Sequence, residues 1–73
     1  MKFGYMMQVQ MPRPWSETTE REAYWNAVEQ AVAAEEAGFD RIWLTEQHFY
    51  VEIGHISAPE MLLAAISQRT SRI

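Results

Sequence analysis

Hydrophobic periodicity switches three times along these 73 residues, from alternation to helical spacing, back to a short apolar run, and again to helical spacing. Lys2 to Val9 places Phe3, Tyr5, Met7 and Val9 on one side of an extended chain and Met6 on the other. Apolar residues on both faces predict a strand (β1) buried on both sides, as in a parallel sheet, with Met6 and Met7 as core. Two prolines in Pro12-Arg13-Pro14 forbid a continued ladder. Thr19-Glu20-Arg21-Glu22 has capping-box spacing and predicts a helix (α1) starting there, with Ser16 as a competing, earlier cap. Tyr24, Ala27, Val28, Ala31 and Val32 form its apolar stripe, and Glu22, Asn26, Glu29, Ala33 and Glu36 its opposite face. Gly38 stops it, and Glu35-Glu36 reads as a solvated helix end. Arg41 to Thr45 is the second strand (β2). Ser57-Ala58-Pro59-Glu60 repeats the capping logic for a second helix (α2) from Ala58 to about Thr70, with Met61, Leu62, Ala65 and Ile66 buried. Arg72-Ile73 reads as the first residues of a third strand.

An order of β1-α1-β2-α2 implies an α/β fold with parallel strands and right-handed crossovers. Two parallel strands do not close a sheet, so their open edges call for further residues. The chain reads as one unit, residues 1–73, at the start of a larger α/β domain. Without cysteine it has neither disulfides nor thiolate metal sites. Six basic residues against ten acidic give a net charge of −4, which argues against nucleic acid and anionic membranes as partners. The longest apolar run, Met61 to Ile66, is too short to span a bilayer, and the alternating N-terminus is not a signal peptide. Cytoplasmic localisation is the default expectation.

The chemistry-bearing stretch is Thr45-Glu46-Gln47-His48, which directly follows the apolar Ile42-Trp43-Leu44. If extended geometry persists, Glu46 and His48 point to one side and Gln47 to the other. The bland alternative is a solvated strand end or a structural hydrogen-bond network. Glu46, His48 and His55 are residue types that bind zinc, but their spacing is no recognised ligand motif, and no metal is expected. His55, in the loop Tyr50 to Ser57, reads as a surface histidine, and Gly54 as a positive-φ turn before the Ser57 cap. Trp25 and Trp43 read as helix–sheet packing residues, with Trp43 and Leu44 facing opposite ways.

The ordered set Ala34-Glu35-Glu36-Ala37-Gly38-Phe39-Asp40, Glu46-Gln47-His48-Phe49 and Pro59 through Arg69-Thr70-Ser71-Arg72-Ile73 resembles the N-terminal part of the luciferase-like flavin monooxygenases, as does the opening Met1 to Gln8. The resemblance runs from Lys2 to Ile73 and rests on order and spacing rather than on any single tetrapeptide. It implies the β1-α1-β2-α2 portion of a (β/α)8 TIM barrel, incomplete on its own and cut at the start of strand 3, with the active site at the carboxyl ends of the strands. It implies an oxidoreductase using reduced FMN and O₂ to oxidise a small organic substrate. Some relatives use F420 for hydride transfer instead. A flavin reductase and a homo- or hetero-oligomeric state of the full-length protein are further implied. By resemblance, Glu46 and His48 are the pocket-lining catalytic candidates. Gln47 stands where many members have a first histidine, and an amide cannot serve as that base. By resemblance the main cofactor contacts are expected beyond Ile73, so the 73 residues alone are expected to be inactive and to bind flavin poorly. The competing expectations are an inactive chain that acts only by association, and an unrelated small binding module.

Overall fold

The computed structural model describes residues 1–49 and 52–73. Tyr50 and Val51, the first two residues of the loop assigned to Tyr50–Ser57, lie outside the described residues. The elements follow the expected order: β1 (Gly4–Met7), α1 (Thr19–Glu36), β2 (Arg41–Leu44) and α2 (Pro59–Ser67). The two strands pair in parallel, Gly4 with Arg41, Tyr5 with Ile42, Met6 with Trp43 and Met7 with Leu44. β1 is shorter than its alternation predicts, because Val9 takes φ +54° and leaves the extended region. The carbonyls of Gln8 and Val9 then accept the His55 N–H instead of continuing the ladder.

One face of this sheet packs and the other does not. Met7 joins Ala27, Val28, Ala31, Ile56, Leu62 and Ile66 in the core, with Tyr5, Ile42 and Leu44 against it. Met6 and Trp43, on the opposite face, are 61% and 58% exposed. The expected core role therefore holds for Met7 and fails for Met6. Trp43 and Leu44 do face opposite ways, but neither Trp43 nor the exposed Trp25 packs a helix on the sheet. The reason is topological: both helices cover the same face, and among the described residues no layer covers the other.

The caps expected at Thr19 and Ser57 are absent, whereas the competing, earlier Ser16 does make a capping bond, its Oγ accepting the Thr18 N–H (3.3 Å). Thr19 is already helical, its Oγ1 accepts the Ser16 N–H (2.8 Å), and the N-cap Thr18 makes no side-chain cap bond. At α2 the N-cap is Ala58 rather than Ser57, again without a side-chain bond, while Pro59 occupies the first turn. The stop at Gly38 behaves as predicted. With Gly38 at φ +98°, its N–H reaches Glu35 O (3.1 Å) and the Phe39 N–H reaches Ala34 O (3.0 Å), the paired bonds of a Schellman motif. α2 ends at Ser67, earlier than expected, tightened by i→i−3 bonds from Gln68 and Arg69. It buries Leu62 and Ile66, whereas Met61 and Ala65 flank an apolar groove of about 410 Å³ between the helices. Arg69 and Glu29 bridge the helices at 2.9 Å. Arg72-Ile73 forms no strand; it is bound by Glu35, which is thereby not a solvated helix end. Among the described residues, no helix is long and apolar enough to cross a membrane.

Candidate functional site at the strand ends

Parallel strands bring their carboxyl ends, and the loops that follow them, to one end of the sheet. Here the two loops are sewn together. His55 N–H donates to Gln8 O and Val9 O (3.2 and 3.1 Å), Gln47 N–H donates to Ile56 O (2.8 Å), and Tyr24 Oη donates to His55 O (3.1 Å). Arg13 joins Glu52 at 3.1 Å and lies over the Trp15 ring at 4.0 Å. His55 is thus no plain surface histidine: its side chain is only 20% exposed, its ring lies beside Tyr24, and Nε2 is 3.5 Å from Glu20. Burial and, behind it, the Glu20 carboxylate raise the Tyr24 phenol above its ordinary value.

The alternation expected after β2 is present. Glu46 and His48 come together on the exposed side, with Nε2···Oε2 at 3.2 Å. Both side chains are more than half exposed, so the pair is worth at most about 1 kcal/mol as an ion pair. A pair of this kind can orient an imidazole. A neutral imidazole that donates from Nε2 to the carboxylate keeps Nδ1 as its acceptor. Gln47 turns the other way, into the loop. Its Oε1 is buried without a hydrogen-bond partner among the described residues, as is Thr45 Oγ1. Gly54 lies directly against this amide: a Cβ there would fall on Oε1 and sit 2.7 Å from Cδ. That close approach explains the glycine, since Gly54 does not adopt the positive φ expected of it. His55 is not brought to the Glu46–His48 pair, and among the described residues no group of three or more His, Asp or Glu gathers as metal ligands.

The uncovered sheet face leads up to this end. Trp43 leans over Gly4, where a Cβ would meet Nε1 at 2.7 Å and Cδ1 at 2.8 Å. The absent side chain of Gly4 lets the indole lie along the strands beside Met6. Sequence reading missed this arrangement, although the alternation had already put Trp43 opposite Leu44.

The comparison with known families bears on the chain as a whole. The family model described as luciferase-like monooxygenase matches residues 1–73. The chain belongs to that family. None of the curated proteins compared with it matches. Luciferase-like monooxygenases generally bind flavin or F420, which makes this chain part of an oxidoreductase family at the coarse level. The β-α-β-α unit agrees with part of a luciferase-like fold. On the uncovered face Trp43 and Met6 are exposed apolar side chains beside Gly4, with Arg41 at the strand start, and the Trp43 and Met6 surface is of a kind that a planar ring could lie against. Among the described residues of the β1–α1 loop no phosphate cradle is offered, because its basic residue, Arg13, is engaged by Glu52 and Trp15.

Proposed function

We propose that these residues form β1-α1-β2-α2 of a (β/α)8 barrel oxidoreductase that uses reduced FMN and O₂ to oxidise a small organic substrate. The family match over residues 1–73 carries the reading. It is supported by the uncovered apolar sheet face, which becomes the interior wall when more strands close the sheet. When bound, the flavin supplies the redox chemistry. Trp43 and Met6 would hold one side of its ring system and keep water from it. His48, oriented by Glu46, accepts or donates a proton at the strand ends. Gln47, turned into the loop, contributes no base. The remaining strands supply the phosphate site, and a separate reductase supplies the reduced flavin.

Hydride transfer with F420 is the second reading, favoured by the amide at Gln47 where an oxygenase of the luciferase type has a histidine. The two are separated by assaying the complete barrel with chemically reduced FMN under O₂, and with F420 under anaerobic conditions. Substrate-dependent O₂ consumption in the first assay is the expected result. Turnover restricted to the anaerobic F420 assay would replace the oxygenase reading, and none in either would leave an inactive chain acting only by association.

A further inference from the structure

Glu35 sits in the last turn of α1, where the helix dipole favours cations and where no basic residue is present. A carboxylate there needs a reason, and the structure gives one. Its two oxygens accept the backbone N–H groups of three consecutive residues: Ser71 (3.0 and 3.3 Å), Arg72 (2.7 Å) and Ile73 (2.9 Å). The Arg72 side chain turns back the other way. Its Nη2 donates to the carbonyls of Glu35 (3.1 Å) and Phe39 (2.9 Å), and its Nη1 lies 3.5 Å from Asp40 Oδ1. Asp40 Oδ2 accepts the Phe3 N–H (3.0 Å), while Phe3 O accepts the Asp40 N–H (2.8 Å). One continuous set of contacts therefore joins the residue before β1, the end of α1, the turn before β2 and the segment after α2.

We propose that Glu35 and Arg72 form a latch that sets where the chain runs after α2, holding residues 71–73 at the level of the strand starts, beside Asp40. Glu35 is the positioning residue. An ionised carboxylate accepts hydrogen bonds only, and three converging backbone N–H groups make an anion-binding nest that the helix end itself does not provide. Arg72 supplies the cation that α1 lacks at its C-terminus, and its planar donor fork reaches two carbonyls at once. The latch has nothing to do with the Glu46–His48 end; it acts at the opposite ends of the strands.

Protonation of Glu35 removes the acceptor charge. Among the described residues the charged groups near it are Arg72 on the segment after α2, Asp40 beyond that guanidinium in the turn before β2 and Glu36 next along α1, with the α-carboxylate of Ile73 wherever the chain ends at that residue. The Ile73 and Arg72 N–H groups hold the Glu35 carboxyl below its ordinary value against desolvation, with lesser help from the Ser71 N–H and the guanidinium. A lowered folded-state value means that the latch is fully closed above the ordinary carboxylate range and opens only as pH falls through the lowered one.

The test is NMR on the full chain, wild type and Glu35→Gln, combining amide exchange with an acid titration. We expect Glu35→Gln to speed exchange at Ser71, Arg72 and Ile73 by about tenfold or more, leaving the amides of Ala27 to Ala34 unchanged. In the wild type the Ser71 and Arg72 amide shifts titrate together with the Glu35 carboxyl, below the ordinary carboxylate range, and in Glu35→Gln that transition is absent. Unchanged exchange in the variant, or the same acid transition without the carboxylate, overturns the proposal. If Glu35→Gln unfolds the chain, the wild-type titration decides alone: a shared midpoint supports the latch, and separate midpoints overturn it.

Discussion

Replacing Gly54 by alanine should destabilise the chain only while Gln47 is present. The added Cβ would fall on Gln47 Oε1, 2.7 Å from Cδ, and 3.4 Å from Gln8 O. Crowding of that kind costs about 1–3 kcal/mol, the low end applying where the Gln47 amide, which makes no hydrogen bond among the described residues, swings clear. Against this, Gly54 has no positive φ to defend, so alanine also restricts the unfolded chain and returns about 0.4–1 kcal/mol. The net expectation for Gly54→Ala is a loss between about 0 and 2.6 kcal/mol. In a Gln47→Ala background the clash is gone and only the Gln8 carbonyl contact remains. There Gly54→Ala should be neutral or stabilising by up to about 1 kcal/mol. Urea melts of the four chains give the coupling, expected at about 1–3 kcal/mol. An equal effect of Gly54→Ala in both backgrounds would refute the argued packing of Gln47 on Gly54.

Ile56, fully buried in the core, should cost about 3 kcal/mol on truncation to alanine, from about 0.8 kcal/mol per lost methylene and the cavity left behind; a urea midpoint shift checks it. Trp43→Ala, on the open face, should change the stability of the 73 residues by less than about 1 kcal/mol in the same melt while weakening flavin binding by the complete barrel. Tyr24→Phe should cost about 1 kcal/mol through loss of the bond to His55 O. The raised phenol value also means that Tyr24 contributes stability below its ordinary value and loses it as pH rises through the raised one. Alkaline melts of Tyr24→Phe should accordingly show less destabilisation with rising pH than the wild type.

Element order was legible because it depends on local signals. The period changes, the two prolines and Gly38 each act within a few residues, and Gly38 ends α1 through the bonds its φ permits. The caps were misread for the opposite reason. Thr19 and Ser57 have the right spacing, but the path of the incoming loop decides which hydroxyl meets which N–H, and at Thr19 the Ser16 amide takes it. Trp43 and Met6 show that an apolar residue on a strand announces a face and not the layer that covers it. Glu35 was read as solvated because its partners lie 36 to 38 residues away, beyond any local pattern. At the candidate site the alternation of Glu46, Gln47 and His48 was readable, and so was their place after β2. The pressure of Gly54 on Gln47, and the seat that Gly4 gives to Trp43, arise from backbones brought together by the fold, which spacing does not encode.

The most direct test of the account is an equilibrium titration of FMN, by flavin fluorescence, against residues 1–73 and against the complete barrel that contains them. With an apolar surface for the ring but no phosphate cradle in the β1–α1 loop, the account predicts no micromolar complex with the 73 residues and a saturable one with the barrel. A micromolar FMN complex with residues 1–73 alone, or none with the barrel, would contradict it.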